Sequence, residues 1–316
     1  MRTNIFTAAR GRLGGVVLAA CATLLAVAVS GPARADSPAD SSAARPSGSE
    51  LVVMGDSYTA NGIRLDGDSR DCNHGPTAWP IQLSRLMGIT GTPDFEDVSC
   101  SGASLQSHTA YDIVSEARIA AAAGAFGPRT RTVALQFGLN DTWGTSKTML
   151  WTSMESCIFN FRDGCGPEAA AQGRLADFRA MTGQAYADRI REVVDYVRYY
   201  APNARIILVG YPELFPAHST TVCTSVLGVG NIVQDRGAGL VDYLDQLQQA
   251  QIDAAKLMDL EFFDVRAITA GHGLCSTQPW LNGFFDPRAD FIGIPFHPSA
   301  QGDSVTAHAL YRRISQ

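Results

Sequence analysis

Four short stretches of this 316-residue chain offer residue types that could do acyl chemistry if the fold gathered them. They are Gly55-Asp56-Ser57, Ser101-Gly102-Ala103, Gly138-Leu139-Asn140-Asp141 and, near the C-terminus, Phe296-His297-Pro298. A Ser hydroxyl is a poor nucleophile at neutral pH until a neighbouring imidazole takes its proton. Ser57 and His297 are thus a candidate pair only if positions far apart in sequence meet. Each stretch alone has an ordinary reading: Ser57 as a turn residue capping a helix, Asn140 as an Asx-turn residue, His297 as packing between an aromatic and a proline. Five other histidines compete with His297: His74, His108, His218, His272 and His308. His308 falls inside a helical stretch and His218 in a Thr-rich loop, so both are worse placed. Asp56 reads as a turn-stabilising residue.

The elements that must position these groups alternate in type. ELVVMG (Glu50–Gly55), FEDVSC (Phe95–Cys100), RTVALQFG (Arg131–Gly138), ARIILVGY (Ala204–Tyr211) and LEFFDV read as five short strands. The third is uncharged after its first residue, the pattern of a strand buried on both faces. Between them, residues 77–88, 113–124, 175–200, 232–260 and 299–314 have helical spacing, and Pro202 stops the third of these. Strands alternating with long helices imply an α/β fold, a three-layer α/β/α sandwich around a mostly parallel five-stranded sheet. In such sheets ligands sit beyond the carboxyl ends of the strands. Three of the four stretches directly follow a strand, and the fourth precedes the last helix. One sheet edge therefore receives a Ser, a Gly, an Asn and a His.

Residues 1–35 have the order of a secretory signal peptide: Arg2, Arg10 and Arg12, an apolar run from Leu13 to Val29, then Ala33-Arg34-Ala35. Residues 36–48, rich in Ser, Ala, Pro and Asp, read as a flexible leader, which leaves 49–316 as one domain. Removing the signal peptide takes four Arg and no acid, so the formal charge of −6 becomes 21 basic against 31 acidic residues, or −10. An acidic chain without a Lys/Arg block argues against nucleic acid and anionic membrane as partners. Six cysteines remain, and an even count in an exported chain favours disulfides, with 15 pairings open on arithmetic. Pairing them in sequence order would make each bridge pin a loop. No C-x-x-C pair or zinc-finger His spacing is present, nor any G-x-S-x-G, H-E-x-x-H, P-loop or G-x-G-x-x-G after a strand. No metal and no cofactor is expected.

Taken together, the four stretches resemble the blocks of the SGNH (GDSL-type) hydrolases, centred here on Ser57, Gly102, Asn140 and His297. The cysteine spacings and the signal peptide make the chain most similar to the secreted actinobacterial lipase/esterase branch. That resemblance implies sequential bridges, Cys72–Cys100, Cys157–Cys165 and Cys223–Cys275. It also implies Ser57 as nucleophile, His297 as general base and then acid. The backbone N–H groups of Ser57 and Gly102 and the side-chain amide of Asn140 would form the oxyanion hole. One departure stands out: the family's Asp three residues before the His is Ile294 here. The main-chain carbonyl of Ile294 is the expected support for His297, ahead of Asp290 and Asp286. The segment 142–173, with Trp143, Met149, Leu150, Trp151, Met154, Phe159 and Phe161, reads either as the wall of an acyl-binding cleft or as a locally packed flap. The expected function is a secreted, monomeric ester hydrolase acting on a small-molecule or lipid ester. An acyltransferase or deacetylase on a glycan or envelope lipid would use the same residues, and a catalytically silent binding protein is the reading from another class.

Overall fold

The structure is a computed structural model that describes residues 47–62, 72–106 and 111–316. The expected signal peptide, most of the leader, and His108 lie outside the described residues. In chain order the elements are β1 (Leu51–Gly55), α1 (Ser57–Ala60), α2 (Trp79–Met87), β2 (Phe95–Asp97), α3 (Ile113–Ala122), β3 (Thr132–Gln136), α4 (Leu150–Ile158) and α5 (Gly183–Tyr200). They continue with β4 (Arg205–Val209), β5 (Val222–Val226), β6 (Gly230–Gln234), α6 (Ala238–Leu257), β7 (Glu261–Phe263), α7 (Val265–Ile268) and α8 (Ala300–Ile314).

The central sheet has the order β2-β1-β3-β4-β7 with every pair parallel. All five residues of β1 and of β3 are buried, because helices cover both faces. The alternation of side chains divides each strand between two cores. Val52, Met54, Val133, Leu135, Ile206 and Leu208 join the larger one, with residues of α3, α5 and α6. Leu51, Val53, Ala134, Ile207 and Val209 join the smaller, with Trp79 and Leu83 of α2 and Ala307 and Leu310 of α8. This is the three-layer α/β/α architecture that the alternating pattern implies.

Two elements differ from the sequence expectation. The span 232–260 is not one helix: its first residues pair as β6 in an antiparallel hairpin with β5, and α6 starts at Ala238. Gly230, at φ +91°, opens β6, and Gly237 stands as the N-cap where α6 begins. The span 175–200 is α-helical only from Gly183, after a short 3-10 turn at Phe178–Ala180, and Thr182 caps α5 by accepting from the amide of Ala185. The three disulfides join Cys72 to Cys100, Cys157 to Cys165 and Cys223 to Cys275. Among the described residues no helix is long and apolar enough to cross a membrane.

Candidate active site

The nucleophile candidate sits where β1 gives way to α1. A Cβ added to Gly55 would lie 2.2 Å from Thr59 Oγ1, so only glycine lets α1 fold back over the strand end. Asp56 caps α1, accepting from the amide of Tyr58 at 2.9 Å, while the Tyr211 hydroxyl donates to its other oxygen at 2.5 Å. Burial raises the Asp56 carboxyl to about 7. Beneath the turn, the Gln136 side-chain carbonyl accepts from Thr59 Oγ1 at 2.7 Å and Trp79 Nε1 at 3.0 Å, and its amide donates to the Gly210 carbonyl. One buried amide thereby locks α1, α2 and β4 to the end of β3.

The loop after β2 brings Gly102 to the same rim. Its φ of +86° is the left-handed conformation that glycine adopts freely, and a built Cβ would meet nothing within 4 Å. The backbone conformation, more than crowding, therefore calls for glycine. Asn140 follows β3; its Nδ2 donates to the Ala103 carbonyl at 3.0 Å, which fixes the amide and leaves its second N–H to turn elsewhere. The next residue, Asp141, is 1% exposed and accepts from the amides of Leu105 and Gln106 at 2.9 and 3.1 Å and from Arg189 Nη1 at 2.9 Å. Arg189 in turn lies over the Trp143 ring at 3.8 Å and donates to the Thr142 carbonyl. Asp141 thus staples the loop carrying Gly102 to the loop carrying Asn140. The Cys72–Cys100 bridge anchors the first of these loops two residues ahead of Gly102.

His297 reaches this rim from the loop before α8. Its Nε2 lies 2.7 Å from Ser57 Oγ and its Nδ1 lies 3.0 Å from the Pro295 carbonyl. A carbonyl can only accept, so Nδ1 carries the proton and Nε2 is the acceptor facing the Ser57 hydroxyl. The ring is 1% exposed, stacked on Tyr58 with centroids 4.4 Å apart and edge-on to Trp151 at 4.9 Å. Burial lowers this imidazole to about 4, with the Pro295 carbonyl opposing the shift.

The carbonyl that supports His297 is therefore that of Pro295, not that of Ile294. The Ile294 carbonyl is already occupied by the backbone amide of His297 at 3.1 Å, closing a tight turn. Phe296 takes φ +67° in that turn, which swings the intervening Pro295 carbonyl under the ring. Neither carboxylate alternative reaches the imidazole. Asp286 pairs with Arg288 at 2.7 Å, and Asp290 accepts from the Ala300 amide at 2.7 Å.

Ser57, Gly102, Asn140 and His297 line one cavity of about 510 Å³, whose remaining wall includes Trp151, Ile292, Ile294 and Pro295. Trp151 is thus the one member of the 142–173 apolar set on that wall. Trp143, Leu150 and Met154 are buried in the large core, while Met149, Phe159 and Phe161 are exposed, so the segment is part packing and part surface. Among the competing histidines, His74 lies 2.9 Å from the Ser99 carbonyl, His272 stacks on Trp280 at 3.5 Å, and His218 and His308 are exposed.

Sequence reasoning missed Asp141, Arg189, Tyr58 and Gln136. The Tyr58 hydroxyl donates to the Phe296 carbonyl at 2.9 Å, so this residue holds the histidine loop as well as stacking on the ring. The signal for Asp141 was its place directly after Asn140 at a strand end; nothing in the sequence pointed to Pro295.

The model of the "GDSL-like Lipase/Acylhydrolase family" matches residues 53–305. Similar relatives include Lipase 1 of Streptomyces coelicolor, 26% identical over 302 residues and covering 93% of each chain. A lipase of Streptomyces rimosus is 27% identical over 266 residues, covering 83% of this chain and 85% of the relative. In fold, the chain is similar to the extracellular lipase of Streptomyces rimosus, with TM-score 0.56 and 22% identity over 85% of this chain and 100% of that one. It is also similar to phospholipase A1 of Streptomyces albidoflavus, with TM-score 0.55 and 23% identity over 84% and 99% of the two chains.

Proposed function

The chain belongs to the GDSL-like lipase/acylhydrolase family, and from that premise we propose that Ser57 and His297 hydrolyse carboxylic esters through an acyl-enzyme. One observation carries the assignment of residues: Ser57 Oγ lies 2.7 Å from an Nε2 whose opposite ring nitrogen is tied to a carbonyl. Ser57 Oγ attacks the acyl carbon as Nε2 takes its proton. The amides of Ser57 and Gly102 and the free N–H of Asn140 hold the developing oxyanion, and losing one such donor typically costs about 100- to 1,000-fold. His297 then gives its proton to the leaving alkoxide. Water repeats the sequence in reverse and releases the acid.

The lowered basicity of His297 suits this cycle at its start, because the imidazole is neutral and ready to accept a proton. It is paired with a carbonyl dipole instead of a carboxylate, so the imidazolium formed at the transition state has weaker support than in a Ser-His-Asp triad. The missing Asp was the one feature that favoured a silent binding protein; the Pro295 carbonyl supplies the orienting acceptor and supports the enzyme reading instead. Three bridged cysteine pairs and an extracellular relative support export, with residues 1–35 as the signal, 36–48 as leader and 49–316 as the working domain. Ser57 and His297 meet within one chain, so the reading needs no second subunit.

The test is hydrolysis of p-nitrophenyl butyrate by the purified chain and by Ser57→Ala. The parent is expected to turn over, the variant to lose activity by about 10⁴-fold or more, and an alkyl phosphonate to add its mass at Ser57. A Ser57→Ala enzyme as active as its parent would refute the assignment.

A further inference from the structure

The imidazolium that forms on His297 during acyl transfer is a full charge in a ring that is 1% exposed. Its two nitrogens face Ser57 Oγ at 2.7 Å and the Pro295 carbonyl at 3.0 Å. The carboxylates close to it in sequence serve other partners: Asp286 pairs with Arg288, Asp290 accepts from the Ala300 amide, and Asp303 accepts from Asn61. One carbonyl dipole is a small counterweight for a charge taken out of water. What the ring does touch is aromatic. Tyr58 lies against it with centroids 4.4 Å and planes 28° apart, a stacked pair, and Trp151 stands at 4.9 Å with planes 66° apart.

These two contacts differ in what they offer a cation. The face of an aromatic ring carries the negative part of its quadrupole, and a cation within about 6 Å of the centroid on that face is attracted, more strongly where water is excluded. A stacked neighbour presents its face, so the Tyr58 ring meets both conditions. That ring is also fixed in place: its hydroxyl donates to the Phe296 carbonyl at 2.9 Å, Tyr211 meets it in a perpendicular contact at 5.1 Å, and its amide donates to Asp56. Trp151 has another part. It is half-buried on α4, lines the cavity that holds Ser57, and packs on Phe296 at 5.7 Å as well as on His297. As a cavity-wall residue in contact with the imidazole, it keeps water from that side. A neutral imidazole gains little from the Tyr58 face and an imidazolium gains much, so the contact acts on the transition state more than on the resting enzyme.

We propose that Tyr58 is a positioning residue for acyl transfer whose π face supports the His297 imidazolium where a triad would use a carboxylate, and that Trp151 is the cover that keeps water from screening this contact. The proposal rests on the ester-hydrolase reading and deepens it. The proton still passes from Ser57 Oγ to Nε2 and on to the leaving alkoxide, and no bond to Tyr58 or Trp151 forms or breaks.

The experiment places phenylalanine, 3-fluorophenylalanine and 3,5-difluorophenylalanine at position 58 of the full chain by nonsense suppression, with Trp151 intact and with Trp151→Ala. All three residues lack the hydroxyl, so Tyr58→Phe is the reference, and fluorine draws electron density from the face while changing its shape little. With p-nitrophenyl butyrate at pH 7, each fluorine is expected to lower kcat by about threefold, with KM and the denaturant midpoint nearly constant. A residue that only packs would show no such trend. Trp151→Ala admits water to the imidazole, so the acid limb of kcat/KM is expected to rise toward the ordinary imidazole value of about 6.5 and the fluorine trend to flatten, with Trp151→Phe restoring both. A kcat that ignores fluorination, or rises with it, would overturn the role of the Tyr58 face. A fluorine trend as steep in Trp151→Ala as with Trp151 intact would overturn the cover. Failure of the parent to cleave the ester at all would instead sink the hydrolase reading on which the proposal stands.

Discussion

The rim that carries Ser57, Gly102 and Asn140 and the loop that carries His297 are held in place by different means. On the rim, buried side chains do the fastening: Gln136 under the nucleophile turn, Glu116 accepting the Gly55 amide at 2.8 Å, and Asp141 with Arg189 between the other two loops. On the histidine loop the fastening is mostly main chain. Asn282 donates its amide to the His297 carbonyl at 2.8 Å and accepts from Phe296 at 2.7 Å, and the ring is oriented by a carbonyl and clasped by two aromatic faces. One half is held by buried side chains that hydrogen-bond across it. The other is rigid because backbone groups have nowhere else to pair.

Both halves are needed for the same chemical step, so the largest loss should be symmetrical. His297→Ala is expected to lower kcat about as far as Ser57→Ala, by about 10⁴-fold or more, and the double variant to be scarcely worse. Additive losses in the double variant, measured with p-nitrophenyl butyrate, would mean that the two residues do not act as a unit.

The rim separates chemistry from fastening in adjacent residues. Asp141→Ala leaves Arg189 and two amides without their acceptor, so about 3 to 5 kcal/mol of stability should disappear, read as a lower denaturant midpoint, with activity falling alongside. Asn140→Ala should cost about 100- to 1,000-fold in kcat while the denaturant midpoint moves little. Equal effects of the two substitutions on stability would erase the distinction.

The same contrast explains what the sequence made legible. Buried apolar runs at β1, β3 and β4 and the Gly, Ser and Asn after them gave the sheet, its edge and the rim residues, because a strand's period and its end are written in residue types. The β5–β6 hairpin was not legible, since Val229 and Val233 are exposed and no strong alternation marks them. The support of His297 was not legible either. A main-chain carbonyl has no residue type, and the left-handed Phe296 that presents it carries none of the usual glycine or asparagine signal. Ile294 was the expected donor of that carbonyl by offset alone, and the turn shifted the role by one residue.

Tyr58 bridges the two halves, following Ser57 in α1 and holding the histidine loop by its hydroxyl. Tyr58→Phe keeps the ring stacked on His297 and deletes only the bond to the Phe296 carbonyl. It should cost about 1 kcal/mol and lower kcat by up to about tenfold, with KM nearly constant. Tyr58→Ala, which removes the stacked face as well, should lose considerably more, and equal losses for the two would assign the work to the hydroxyl alone.

The smallest effect at neutral pH is also the sharpest probe of a base held by a carbonyl. Burial keeps His297 neutral down to about 4, whereas an ordinary imidazole titrates near 6.5. Since the neutral form is the working base, kcat/KM should fall only as pH drops through the lower value, and a free-enzyme pH profile reports that ionisation directly. At pH 5 an imidazole of ordinary basicity would be about 3% neutral, so the parent should outperform it by roughly thirtyfold. Ile294→Asp places a carboxylate three residues before His297. A nearby negative charge favours the imidazolium, so the acid limb should move up by about one pH unit or more, while the rate at pH 7 changes less than about tenfold. The profile is measured from pH 4 to 8, with aliquots returned to pH 7 to separate titration from unfolding. A parent whose limb already lies near 6.5 would show that His297 is neither as buried nor as free of carboxylates as its packing requires.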